Sequence, residues 1–92
     1  MIEGSPGTPT VTVFGADWCP DCRRSKRLLE RLGVPFEWRD TEHDEAALDE
    51  MLDLNGGRQS IPVVRLPGGR ILVEPSDPAL RSELADAGLV EG

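Results

Sequence analysis

The chain contains two cysteines, and they stand together as Cys19-Pro20-Asp21-Cys22. A thiolate attacks disulfide sulfur, and a second thiol about one helical turn further on can return to the first sulfur and displace what it has captured. A bridge between these two positions would close almost no loop of the unfolded chain. It would therefore add little of the stability that scaffolding disulfides draw from long loops, and the pair reads as reactive rather than structural. Zinc is the other chemistry that a C-x-x-C can serve. A tetrahedral site takes four ligands, however, and the only further nitrogen or sulfur donor is His43, far along the chain, so no metal is expected. His43 reads as a solvated residue near a helix start.

Composition narrows the setting of this chemistry. Ninety-two residues allow one domain, and 38% apolar with 29% charged residues describe a chain that folds. Seventeen acidic against ten basic residues, net charge −7, argue against nucleic acid or an anionic membrane surface as a partner. The apolar runs are too short to span a bilayer, and the N-terminus lacks a signal-peptide layout, so a cytoplasmic protein is expected. Residues 1–9, rich in Gly and Pro, read as a flexible leader, and residues 10–92 as the domain.

The elements that must hold the cysteines can be read in order. Thr10 to Phe14 has the β-branched and aromatic composition of a buried strand, with Gly15 as its stop. Pro20 to Leu32 then forms an amphipathic helix: Cys22, Ser25, Leu28, Leu29 and Leu32 face inward, five basic residues face outward, and Gly33 ends it. Cys19 falls where loop meets helix, so its sulfur can face unpaired N–H groups and the positive end of the helix dipole. Cys22 lies one turn deeper, which makes Cys19 the attacking thiol and Cys22 the resolving one. Asp21 opposes the thiolate, pointing to a less depressed pKa and a more reducing couple than an uncharged pair would have.

Phe36 to Arg39 alternates as a second strand, with Trp38 read as core. A helix follows from Asp40–Asp44 to Leu54, with Ala47, Leu48, Met51, Leu52 and Leu54 facing inward. Ile61–Leu66 and Arg70–Val73 flank Pro67-Gly68-Gly69 as a β-hairpin, and Ser76 or Asp77 caps a last helix that buries Leu80 and Leu84 and ends at Gly88. The expected fold is α/β, of order β-α-β-α-β-β-α, with a four-stranded mixed sheet flanked by three helices. Charge is uneven along it: the first helix is basic, whereas Glu37 to Asp53 holds eight acidic residues. Opposite solvated faces account for this, as would a dipolar surface that orients a partner toward Cys19.

Trp18-Cys19-Pro20-Asp21-Cys22 at a strand–helix junction, Ser60-Ile61-Pro62-Val63 about forty residues later, and Gly68-Gly69 in the hairpin together resemble the glutaredoxin branch of the thioredoxin superfamily. Asn55-Gly56-Gly57 and Glu74-Pro75-Ser76 look most similar to mycoredoxins. The resemblance implies a thiol–disulfide oxidoreductase whose co-substrate is a low-molecular-weight thiol and which needs no metal or organic cofactor. It implies a cis Ile61-Pro62 bond that sets the Ile61 backbone beside the cysteines; the lesser reading from the residues alone is a proline that starts an edge strand. It places Trp18 and Pro20 next to the nucleophile, Arg58 and Gln59 ahead of the Ser60-Ile61-Pro62 run, and Ser76 and Asp77 after the hairpin, all as candidates for binding the small thiol. Two positions depart from the glutathione-using pattern. Ala16 stands where a lysine is common, and Glu74-Pro75-Ser76-Asp77 replaces a Gly-rich segment that ends in paired acids. Both departures favour mycothiol, a sugar thiol without tripeptide carboxylates, over glutathione.

The expected partners are thus a small thiol, protein disulfides and a disulfide reductase, met by a monomer. Two alternatives belong to other classes: a thioredoxin-like electron donor reduced directly by a flavin disulfide reductase, and a non-enzymatic redox-sensing binding module.

Overall fold

The computed structural model describes residues 10–91, so the leader expected over residues 1–9 lies outside the described residues. Seven elements follow in the expected order: β1 (Val11–Gly15), α1 (Pro20–Arg31), β2 (Phe36–Asp40), α2 (Glu45–Leu54), β3 (Val63–Arg65), β4 (Ile71–Val73) and α3 (Asp77–Asp86). The sheet order is β2-β1-β3-β4. β2 runs parallel to β1, while β3 pairs antiparallel with both β1 and β4.

Each face of β1 meets a different helix layer because side chains alternate along a strand. Val11 and Val13 point to one face, where they join Val64 and Leu66, Leu28 and Leu29 of α1, and Leu80 and Leu84 of α3 in the larger core cluster. Phe14 points to the other face and packs with Val63 and Met51 of α2. Each fully buried Leu contributes about 1.5–3 kcal/mol, so the α1–sheet–α3 layer is the rigid support on which the N-terminus of α1, and with it Cys19, is mounted. At its other end α1 stops at Arg31 with Leu32 as its cap, and Gly33 turns the chain at φ 71°, a conformation that a β-carbon disfavours.

Several boundaries differ from the sequence reading, each for a local reason. β1 starts at Val11 and continues through Gly15, which is a strand residue and not a stop: it pairs with Asp40, and its carbonyl accepts hydrogen bonds from the Thr41 N–H and Thr41 Oγ1. β2 correspondingly extends to Asp40. α2 begins only at Glu45, because Asp44 is the cap, accepting from the N–H groups of Ala46 and Ala47. Asp40 meanwhile ties the preceding turn by accepting from Glu42 N–H and His43 N–H. The hairpin strands are short. Ile61, Pro62 and Leu66 fall outside β3, and Leu66 closes the turn by donating to the Arg70 carbonyl and accepting from Gly69 N–H. Trp38 is half-buried against the core rather than enclosed, with the Lys26 ammonium 3.8 Å above its ring. Leu32, Leu48, Leu52 and Leu54 are likewise half-buried.

The uneven charge is partly neutralised in three dimensions. Glu50 of α2 accepts from Arg39 of β2 and Arg65 of β3, each at 2.7 Å, and both guanidinium groups lie over the Phe14 ring. The hydrogen bond from Arg65, opposed by burial and aided by the charges of Arg65 and Arg39, lowers the Glu50 pKa. A lowered carboxyl pKa stabilises the fold above the unfolded value, and that contribution is lost as pH falls through the folded value. Glu50→Gln is therefore expected to cost about 0.5–1 kcal/mol at pH 7, a screened figure for a carboxylate about one-third exposed. Urea unfolding should show the gap between the two proteins closing below about pH 4. Parallel pH profiles would mean that the bridge contributes nothing.

Candidate active site

Cys19 is the N-cap of α1, with an extended backbone (φ −81°, ψ 115°) that turns its sulfur back over the first helical turn. Its N–H donates to the Ala16 carbonyl at 3.1 Å, which fixes the approach of the loop, and its Sγ accepts from the Cys22 N–H at 3.2 Å. The sulfur thus takes the place of a capping oxygen, facing backbone donors that favour negative charge. Pro20 follows at the first helical position, where its missing N–H leaves no partner unsatisfied, and it is exposed.

The two thiols are free and differ in environment. Cys19 retains 6% of its surface, whereas Cys22 retains none. Burial foremost pushes the Cys22 thiol up to about 12. The hydrogen bond with Cys19 and the charges of Cys19 and Asp21 act in the same direction, against a backbone hydrogen bond at Ala16. At neutral pH Cys22 is therefore a protonated, fully enclosed thiol close to the slightly less buried Cys19 sulfur at a helix N-terminus.

Gly15 emerges as a site residue that the sequence reading assigned to strand termination. A β-carbon there would sit 2.5 Å from Cys22 Sγ and 3.0 Å from Trp38 Cη2. Glycine at the end of β1 is what lets the Cys22 sulfur lie against the strand. The adjacency of a strand-ending glycine to the cysteine motif was visible in sequence; its contact with Cys22 was not.

Of the candidate binding residues, the structure brings three to one groove. Trp18, 64% exposed, lines an open groove of about 330 Å³ with Gln59, Ile61, Thr41, Glu42, Leu48 and Met51. Trp18 Nε1 donates to Glu42 Oε1 at 2.7 Å, which fixes the indole across the groove mouth. Thr41 and Glu42 had no sequence signal for this role, since it arises only from the pairing of β1 with β2. The Ile61-Pro62 bond is cis and Pro62 is buried, in keeping with the expectation. Arg58 is exposed on the turn after α2, its carbonyl accepting from Asn55 Nδ2, and it does not line this groove. Ser76 is the cap of α3, its Oγ accepting from Ala79 N–H, and Asp77 faces Arg24 at 3.4 Å. These two residues lie on the α3 side, apart from the groove. Ala16 is 1% exposed, so the position where a lysine is common is enclosed here.

His43 is solvated, its Nδ1 2.9 Å from Asp40 Oδ2, and this contact raises its pKa. Among the described residues no cluster of His, Cys, Asp and Glu could hold a metal ion, and no helix is long and apolar enough to cross a membrane.

Residues 11–71 match the family model described as glutaredoxin. A Mycobacterium tuberculosis protein bearing the glutaredoxin name is 30% identical over 77 residues, covering 84% of this chain and 92% of the relative. Mycoredoxin 1 of Corynebacterium glutamicum is 32% identical over 65 residues, covering 71% and 80%. In three dimensions, the glutaredoxin of Archaeoglobus fulgidus superposes with a TM-score of 0.68 at 25% identity, covering 94% of this chain and 90% of that one.

Proposed function

Because the chain belongs to the glutaredoxin family, and so is a thiol–disulfide oxidoreductase, we propose that Cys19 is its nucleophile, Cys22 its resolving thiol, and a mycothiol-like sugar thiol its preferred co-substrate. The observation that carries the division of labour is the contrast between the two sulfurs, one capping α1 and one wholly enclosed behind it.

The Cys19 thiolate attacks one sulfur of a disulfide. A Cys19–S bond forms, the substrate S–S bond breaks, and the first half leaves as a thiolate that takes a proton. In the dithiol route Cys22 loses its proton and attacks the Cys19 sulfur, so that the second half leaves as a thiol. The substrate has gained two electrons, and Cys19–Cys22 is now the disulfide. Two small thiols then reduce it, the first forming a mixed disulfide and the second releasing the oxidised small-thiol dimer. In the monothiol route a free small thiol attacks the Cys19 adduct directly. Neither route draws on a metal or organic cofactor.

The preference for a sugar thiol is supported by the enclosed Ala16, which offers no cation to a carboxylate, and by the groove, where the charged side chain is the Glu42 carboxylate. A glutathione carboxylate placed there would be repelled, whereas sugar hydroxyls can donate to Glu42 and to the Gln59 amide oxygen. We place this activity in the cytoplasm, carried out by a monomer. The test is to offer the oxidised protein mycothiol, glutathione, or thioredoxin reductase with NADPH. Reduction by mycothiol at a rate at least about tenfold above glutathione, a difference of about 1.4 kcal/mol, is the expected result. Reduction by the flavoenzyme alone would identify a dedicated electron donor, and a disulfide that forms without turnover would identify a redox sensor; either would overturn the proposal.

A further inference from the structure

Asp21 sits between the two cysteines, where a bare carboxylate would oppose a thiolate, yet its charge is not left bare. Arg24 Nη1 lies 2.9 Å from Asp21 Oδ1, three residues along the same helix. The other side of the same guanidinium faces α3: Arg24 Nε is 3.4 Å from Asp77 Oδ1 in an ion pair, and both of these buried atoms lack a hydrogen-bond partner. Arginine suits this arrangement, since its planar fork presents donors along two edges to two carboxylates at once. The result is a chain of three charges, from the first residue of α3 through α1 to the motif itself.

We propose that Arg24 is a positioning residue for the cysteine pair: braced by Asp77, its guanidinium holds and neutralises the Asp21 carboxylate and so favours the Cys19 thiolate. This deepens the assignment of Cys19 as nucleophile and rests on it. The control is indirect, passing through Asp21, and its anchor lies on a different element. The packing of α3 against α1 is thereby coupled to the charge beside the thiols. Asp77, a candidate for thiol binding from its place after the hairpin, is in this account the anchor for Arg24.

The experiment is the pH profile of Cys19 alkylation by iodoacetamide in the full chain, a readout that requires no turnover and that a merely structural role of Arg24 would not move. Arg24→Ala is expected to shift the midpoint to higher pH and to slow alkylation at pH 7 by about two- to fivefold, the range that screened ion pairs reach. Arg24→Lys should fall between, because an ammonium keeps the charge but lacks the fork. In an Asp21→Asn background the Arg24→Ala effect should vanish, since there is no carboxylate left to neutralise. Asp77→Asn should slow alkylation slightly by loosening the guanidinium, whereas simple removal of a negative charge near the site would accelerate it. An unchanged profile in Arg24→Ala, an equal shift with and without Asp21, or faster alkylation in Asp77→Asn would each overturn the proposal. Its failure is distinct from failure of the nucleophile assignment, which would show as turnover surviving in Cys19→Ser.

Discussion

Cys19→Ser is expected to abolish disulfide reduction, lowering turnover by more than about 10³-fold, as loss of a covalent nucleophile does. Cys22→Ser is expected to behave differently. It should keep turnover on mixed disulfides between a protein and the small thiol, because that route needs only Cys19, and lose turnover on protein disulfides, where Cys22 must release the second half. The asymmetry follows from burial and backbone geometry: Cys19 faces the N-terminus of α1 with part of its surface open, and Cys22 has no surface at all. A second readout comes from the same variants. In Cys19→Ser the remaining thiol should resist iodoacetamide at pH 7, since burial, the largest influence raising Cys22, survives the substitution. Rapid alkylation of Cys22 in that variant, or turnover by Cys19→Ser, would reverse the assignment of roles.

The contrast in environment between the two sulfurs was legible in sequence because it depends on local structure. A proline at the first helical position and apolar residues at helical spacing after Cys22 are enough to put one sulfur at the helix end and the other inside. The element order was legible for similar reasons, since Gly, Pro or Asp signals separate the elements even where they misplace a boundary by a few residues. What was hidden depends on residues brought together from far apart. Glu42 meets Trp18 only because β2 lies parallel to β1, and Asp77 meets Arg24 only because α3 packs beside α1. Trp18, Gln59 and Ile61 share one groove, whereas the Ser76 hydroxyl is occupied in capping α3, the role its place ahead of Pro78 had already suggested. Gly15 failed in an instructive way. A glycine after an apolar run suggests a stop, yet the same residue satisfies a strand whose neighbour comes too close for a side chain.

Gly15→Ala is accordingly expected to have the second largest effect. The added methyl would stand 2.5 Å from Cys22 Sγ, 3.1 Å from Cys22 Cβ and 3.0 Å from Trp38 Cη2. None of these neighbours is the free end of a flexible side chain. Cys22 is fixed in α1 and fully buried, and the half-buried Trp38 is covered by Lys26. Overpacking of this kind costs about 1–3 kcal/mol, which urea unfolding should show as a lower midpoint with an unchanged slope. The strain falls on the reactive pair itself. Displacing Cys22 Sγ also disturbs the first turn of α1, whose N–H at Cys22 donates to Cys19, so disulfide formation should slow along with the loss of stability. The double variant Gly15→Ala/Cys22→Ala removes the closest contact and should be more stable than the sum of the single changes predicts, by about 1 kcal/mol. Strict additivity would show that the methyl is accommodated by movement of β1 or Trp38, and that the glycine is required for a reason other than the Cys22 sulfur.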